Sequence, residues 1–202
     1  MANFSSSDFR PYVIDTSVAI NLEASHIAVE IFEALGRPVV IVDTVPAELE
    51  GGRGHGAKVH HAIADWQRRS LAIVVQLSAA GNETFESLIA GSAAATLDDG
   101  EAATIAHAVD TAAIAVIDEA KARKISAERF SALVVASSTD LILDPLVLAA
   151  LGKDRVADGL FYALIGARMR VPRERHAEVV HLIGRERLPQ CLSLPASVRR
   201  TT

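Results

Sequence analysis

The chain has 202 residues, half of them hydrophobic, and a formal net charge of -5. This length suits a single domain with a substantial core, and the composition excludes a disordered chain. The negative charge excludes a protein held on nucleic acid by overall charge alone, so any such contact has to be local. A single cysteine, Cys191, excludes an internal disulfide and has no neighbours at zinc-ligand spacing.

No stretch of the sequence has the character of a signal peptide or a membrane span. Residues 1–10 contain no apolar segment, and no later run reaches the roughly 18 apolar residues that a span needs. We therefore expect a soluble, unsecreted protein of the reducing cytoplasm without a membrane partner.

Short apolar segments alternate with amphipathic ones along the first two thirds of the chain. Five strands are predicted, at residues 11–15, 37–43, 71–77, 113–118 and 132–136. Helices are predicted at 18–35, 44–50, 57–69 and 83–90, within the stretch 97–109, and at about 139–151, 153–170 and 173–185. Strands that alternate with helices predict an α/β fold with a central parallel sheet and right-handed crossovers.

The first predicted strand ends in a carboxylate, in the segment Tyr12-Val13-Ile14-Asp15-Thr16-Ser17. An acid at the carboxyl end of a central strand points into the crevice where open parallel sheets bind ligands. Asp15 is equally suited to cap the helix that follows, because its oxygens can accept the N–H groups of the first turn. This position alone does not choose between a functional and a capping interpretation.

Three further acids occupy comparable positions. Glu48 lies on the short helix after the second strand, Glu101 in the first turn of a helix, and Asp118 at the end of the fourth strand. Each has a structural alternative: Glu48 as a solvated helix residue, Asp98 with Glu101 as a capping box, and Asp118 as another N-cap.

Taken together, the four acids favour a metal site. Carboxylates crowded at one edge of a sheet raise one another's pKa unless a cation neutralises them. Hard oxygen ligands suit Mg²⁺ or Mn²⁺ better than zinc, and such an ion can activate water against a phosphodiester.

The glycine-rich segment 51–58 does not meet the requirements of a phosphate-binding loop. Ala57 separates Lys58 from the last glycine, Val59 stands where Ser or Thr is needed, and a helix precedes the segment instead of a strand. We expect a flexible hinge there.

The four acids and their neighbours resemble the acidic motifs of PIN-domain nucleases. The motifs, in the order and spacing of that family, are Asp15-Thr16-Ser17, Val45 to Glu48, Asp99-Gly100-Glu101-Ala102, and Ile117-Asp118-Glu119 followed by Ala122-Arg123. The resemblance runs from about residue 11 to residue 150 and implies a three-layer sandwich with a central parallel sheet of about five strands. VapC-like toxins are the best-populated branch of the family. The resemblance therefore implies an Mg²⁺- or Mn²⁺-dependent endoribonuclease, usually a homodimer, and in that branch the toxin partner of an antitoxin protein.

The resemblance also implies roles for individual residues. Asp15, Glu48, Glu101 and Asp118 would hold the metal and carry catalysis. Thr16, Asp99 and Glu119 would support these ligands. Separately from the resemblance, the basic residues Lys121 and Arg123 lie next to Asp118 in the sequence and are placed to contact the RNA substrate. The alternative is a PIN-like module that has lost catalysis and binds RNA or a partner protein.

A helical C-terminal region lies beyond the motifs. We expect a tail at residues 1–10, a PIN-like domain at 11–150, a helical extension at 151–190 packed on the same domain, and a tail at 191–202. The extension carries six arginines that suit a phosphate backbone, yet interleaved acids favour a solvated basic helix or a dimer face. They are Arg168, Arg170, Arg173, Arg175, Arg185 and Arg187.

Overall fold

The computed structural model describes residues 9–49, 55–92 and 96–200, and the chain divides into two compact units. The first unit contains the residues up to Ala19 together with Arg37–Ala136. The second unit contains Ile20–Gly36 and the residues from Ser137 onward. The predicted domain division, with boundaries after residues 10, 150 and 190, stays a prediction.

The first unit is built on a sheet of five parallel strands in the order β3-β2-β1-β4-β5. The strands are β1 (Tyr12–Ile14), β2 (Val39–Val42), β3 (Ala72–Val75), β4 (Ile114–Val116) and β5 (Val134–Ala136). β1 lies at the centre and pairs with β4 in a register that sets Ile14 beside Val116. The strand order reverses between β1 and β4, and such switch points are where open sheets bind ligands. All five strands lie within the predicted segments, and the predicted α/β fold with a parallel sheet flanked by helices is confirmed.

Among the residues that the structure describes, six helices belong wholly or partly to the first unit. They are α1 (Thr16–Ala24), α3 (Thr44–Leu49), α4 (His55–Arg68), α5 (Ala79–Ile89), α6 (Asp99–Thr111) and α7 (Ala120–Arg129). α6 packs across β1, β2 and β4, and its alanines join Val13, Val40 and Ala115 in one buried cluster. Because alanine side chains are small, the backbone of α6 comes close to the sheet, which brings its first turn to the carboxyl ends of the strands.

The second unit is helical. Its helices are α2 (Ala28–Leu35), α8 (Ser138–Ile142), α9 (Pro145–Leu151), α10 (Lys153–Gly166), α11 (His176–Ile183) and α12 (Ala196–Arg199), with 3₁₀ turns at Arg173–Arg175 and Arg185–Gln190. α10 packs against α9 and α11, and α2 packs against α9. Leu160 and Leu164 of α10 are fully buried, so their helical spacing marks a core face.

The prediction of one helix over residues 18–35 is wrong, because the chain forms α1 and α2 with a break at residues 25–27. The Ser25 hydroxyl donates to the carbonyl of Leu22 at 2.5 Å and accepts from the N–H of Ile27 at 3.2 Å. His26 adopts a left-handed backbone with φ of 59°. A serine side chain that bonds to nearby backbone groups competes with the helical ladder, which the apolar periodicity does not reveal.

Three other predicted helices have wrong limits. The segment 139–151 is interrupted because the carboxylate of Asp144 caps α9 through the N–H of Leu146 at 2.8 Å, and Pro145 disfavours helical geometry in the residue before it. α10 ends at Gly166 instead of residue 170, before a left-handed Arg168 with φ of 55°. α5 begins four residues earlier than predicted, since the Ser78 hydroxyl caps it through the N–H of Gly81.

Some expectations fall outside the described residues. Residues 51–54 of the predicted hinge at 51–58 are not described, and residues 55–58 are helical, in the first turn of α4. Residues 1–8 of the predicted N-terminal tail are not described either. In the described ranges, no helix combines the length and the apolar character that crossing a membrane requires.

Gly159 allows α10 to approach the α1–α2 break, and this gives a stability prediction. A Cβ at Gly159 would overlap Cδ1 of Ile27 and lie 2.8 Å from its Cγ1, and Ile27 is completely buried. We expect Gly159→Ala to lower the free energy of unfolding by about 1–3 kcal/mol, because overpacking outweighs the better helix propensity of alanine. Urea unfolding followed by circular dichroism measures the change.

The matched control is Gly166→Ala at the end of the same helix. A Cβ there would meet only Cβ of Ala24, at 3.7 Å, which is ordinary contact. We expect this variant to equal or exceed the wild type in stability. Equal stability of the Gly159 and Gly166 variants would contradict the packing argument.

Candidate active site

Asp15 follows β1 directly and begins the turn into α1. Its Oδ1 accepts the backbone N–H of Val18 at 2.7 Å and the Ser17 hydroxyl at 2.9 Å. These bonds satisfy donors of the first turn of α1, so the capping interpretation of Asp15 is confirmed. They also fix the orientation of the carboxylate.

The other oxygen of Asp15, Oδ2, is buried and has no hydrogen-bond partner among the described residues. The side chain as a whole is 1% exposed. The pKa of Asp15 is raised to about 7, chiefly by burial and also by the charges of Asp118 and Glu101, against the lowering effect of the two hydrogen bonds. A buried carboxylate oxygen without a partner is costly, so the capping role does not account for the whole side chain.

Asp118 and Glu101 are the acids whose charges act on Asp15. Asp118 is buried just past the end of β4, next to β1, and Glu101 is half-buried in the first turn of α6. Asp98 makes no side-chain cap bond to α6, and the N-cap position of α7 is Glu119 instead of Asp118. The edge between β1 and β4 therefore collects three acids within electrostatic range.

Glu48 is bound differently from the other three acids. Its Oε1 accepts the backbone N–H of Gly100 at 2.7 Å, and its Oε2 accepts the hydroxyl of Thr16. The side chain of Glu48 is otherwise exposed on α3. It therefore connects the start of α6 with the start of α1.

The remaining candidates surround these acids in the sequence. Asp99 is exposed at the start of α6, and Glu119 is half-buried before α7. Lys121 is exposed on α7, whereas the Arg123 guanidinium donates to the carbonyl of Ile117 at 3.2 Å, directly before Asp118. Arg123 thus supports the backbone that carries Asp118.

Arg175 and Arg187 of the C-terminal region form ion pairs within the second unit. Arg175 pairs with Asp140 at 2.8 Å and with Glu178 at 2.7 Å, and Arg187 pairs with Asp158 at 2.7 Å. Charges neutralised in this way attract a phosphate backbone less, which favours the solvated interpretation of this basic segment.

The chemistry of the site fits a divalent cation, although no complete cage is formed. Within the residues described, no three His, Cys, Asp or Glu side chains group closely enough to hold a metal ion. The unpartnered Oδ2 of Asp15, beside the negative charges of Asp118 and Glu101, nevertheless has the donor type and the unsatisfied charge that Mg²⁺ or Mn²⁺ would satisfy.

The sequence patterns did not identify Gly100 as a contact of Glu48. A signal was present, because glycine is unfavourable inside a helix and one that directly precedes a candidate acid indicates close approach of another group.

A family model described as a PIN domain matches residues 11–185 of the chain. The match extends past residue 150, where the resemblance seen in the sequence ends, into the C-terminal helices. No curated protein and no solved structure shows a significant match.

The raised pKa of Asp15 predicts an unusual pH dependence of stability in the metal-free protein. The pKa of Asp15 is about 7 in the folded state and takes its ordinary value of 3.8 in the unfolded state. Between about pH 4 and about pH 7, Asp15 is therefore protonated in the folded protein and ionised in the unfolded chain. The contribution of Asp15 to the stability of the wild type in EDTA therefore falls as pH rises from about 4 to about 7. We expect Asp15→Asn to gain stability over the wild type across this range, by about 4 kcal/mol in total.

Urea unfolding in EDTA at several pH values between 4 and 8 measures this difference. The matched control is Glu86→Gln, which removes the same charge from an exposed position on α5. Its difference from the wild type should stay constant over the range. A constant difference for Asp15→Asn as well would contradict the burial argument.

Proposed function

The chain belongs to the PIN-domain family, and on this basis we propose that it is a metal-dependent endoribonuclease whose active site centres on Asp15. PIN domains are in general nucleases that typically use divalent metal ions. The observation that carries the proposal is the buried, unpartnered Oδ2 of Asp15 within range of two more acids.

Asp15, Glu101 and Asp118 are the proposed ligands of Mg²⁺ or Mn²⁺, and Asp99 and Glu119 are proposed to support them. A divalent cation there would supply positive charge against a phosphodiester and make a nearby water more acidic. The protein orients the carboxylate of Asp15. The N–H of Val18 and the hydroxyl of Ser17 bind its Oδ1, which leaves Oδ2 to bind the cation. Burial of Asp15 keeps competing water away from that oxygen.

Lys121 is the proposed contact for the RNA backbone. It is exposed on α7, three residues after Asp118, in a protein with a net charge of -5. A local positive group beside an acidic edge lets a polyanion approach that the overall charge repels. Arg123 is proposed to support the backbone before Asp118 through its hydrogen bond to the Ile117 carbonyl.

A module without catalysis is the weaker candidate. A retired site has no reason to keep an unpartnered carboxylate buried beside two others, since each such group lowers stability. The toxin role, an antitoxin partner and a homodimer are proposed on the resemblance to VapC-like toxins alone.

The direct test is cleavage of a mixed pool of structured and single-stranded RNA. We expect cutting by the wild type with Mg²⁺ or Mn²⁺ and none in EDTA. Asp15→Asn and Glu101→Gln should each reduce the rate at least about a hundredfold, because neutral amides replace charged ligands. Single-turnover rates resolved on denaturing gels provide the measurement.

Glu86→Gln, on the exposed face of α5, is the control and should cut like the wild type. A parallel pool of single-stranded DNA of the same sequence separates ribonuclease from general nuclease activity. Full activity of Asp15→Asn would contradict the proposal.

The role of Lys121 predicts a change in the salt dependence of binding. In EDTA, the inactive Asp15→Asn protein is titrated with labelled single-stranded RNA at several salt concentrations. Adding Lys121→Ala should reduce the slope of log K against log salt by about 0.7, the value for one lost phosphate contact on a single strand.

Arg68→Ala is the matched control, because Arg68 is an exposed cation at the end of α4, before β3, at the opposite edge of the sheet. Its slope should equal that of the parent. Equal slopes for both variants would remove Lys121 from the RNA contact.

A further inference from the structure

Glu48 joins the two backbone segments that carry Asp15 and Glu101. One carboxylate oxygen accepts from the Thr16 hydroxyl, one residue after Asp15. The other accepts from the N–H of Gly100, one residue before Glu101. We call this set of Thr16, Glu48 and Gly100 the Glu48 bridge.

The absence of a side chain at Gly100 makes the bridge possible. A Cβ at this position would lie 2.8 Å and 2.9 Å from the two carboxylate oxygens of Glu48, and 2.9 Å from Oγ1 of Thr16. Distances this short do not occur for real Cβ atoms, so any larger residue would displace the carboxylate. The N–H of Gly100 is one of the first-turn donors of α6, which lack partners within the helix. Since Asp98 makes no cap bond, the carboxylate of Glu48 takes over this capping function from another helix.

We propose that Glu48 is a positioning residue and not a metal ligand: its bridge holds the starts of α1 and α6 together so that Asp15 and Glu101 stay side by side. The inference rests on the proposed function, since it assigns roles within the same site. Both oxygens of Glu48 already accept hydrogen bonds, whereas Oδ2 of Asp15 has no described partner.

The mechanical reason for such a bridge is repulsion. Whenever Asp15 is ionised, Asp15 and Glu101 carry like charges and repel each other. The first turn of α6 also has backbone donors without partners inside the helix. A bridge anchored one residue from each acid resists this separation without itself adding a ligand.

The first experiment measures Mn²⁺ binding by calorimetry without RNA, for the wild type, Glu48→Ala, Glu48→Gln and Asp15→Asn. A glutamine keeps an oxygen for the Gly100 N–H and an amide group within reach of the Thr16 hydroxyl, but loses the charge. We expect Glu48→Ala to bind Mn²⁺ about tenfold or more weakly, as loss of an orienting group does, and Glu48→Gln to bind like the wild type. Asp15→Asn should lose binding most strongly.

Loss of affinity in Glu48→Gln as large as in Glu48→Ala would overturn the inference and make Glu48 a ligand. Wild-type affinity in Glu48→Ala would overturn it as well, because the bridge would then have no effect on the site.

The second experiment is a double-mutant cycle in EDTA with Glu48→Ala, Gly100→Ala and the double variant, read by thermal unfolding. Each single variant should lower the melting temperature, and the double variant should lower it by less than the sum, because both changes remove the same contact. Additive effects would overturn the bridge.

The two experiments also separate the inference from the proposed function. If the wild type binds no Mn²⁺ while the cycle shows coupling, the metal-dependent function fails and the contact is purely structural, which overturns the positioning role. If the wild type binds Mn²⁺ and the cycle is additive, the function stands and the bridge alone fails.

Discussion

The site depends on a buried carboxylate whose two oxygens have different environments. Oδ1 of Asp15 is fixed by a backbone N–H and a hydroxyl in the first turn of α1, and Oδ2 is buried with no described partner. The first oxygen makes the second one usable, because a carboxylate held in one orientation presents its other oxygen in a defined direction. The cost is a pKa near 7, which means that the metal-free protein holds an acid that resists ionisation at neutral pH.

The sheet explains why other acids come to the same place. β1 and β4 are neighbours although more than ninety residues separate them in the chain, so Asp118 comes beside Asp15 through strand pairing alone. α6 packs across this pair of strands with an alanine-rich face, and Glu101 lies in its first turn. Each acid thus comes from a different element, and its position is set by packing far from the site.

Much of this arrangement could be predicted because it follows from local patterns. Apolar runs predicted the five strands. Acids at strand ends and on the helices that follow them predicted the four candidate site residues. The breaks at Ser25 and Asp144 could not be predicted by periodicity, since they depend on side chains that bond to their own backbone. The partners of Glu48 were equally hidden: they lie 32 and 52 residues away in sequence, and only the folded chain brings them together.

Gly100 shows how a single position can serve both the fold and the site. In isolation a glycine in the first turns of α6 weakens the helix, because it loses more backbone freedom than alanine does. Here the missing side chain leaves room for the carboxylate of Glu48 from α3. The hydrogen bond from the Gly100 N–H to this carboxylate offsets part of the lost helix stability. The stabilising contact and the placement of Glu101 therefore come from the same three residues. A substitution that improves the intrinsic helix propensity at residue 100 would consequently weaken the link between α3 and α6.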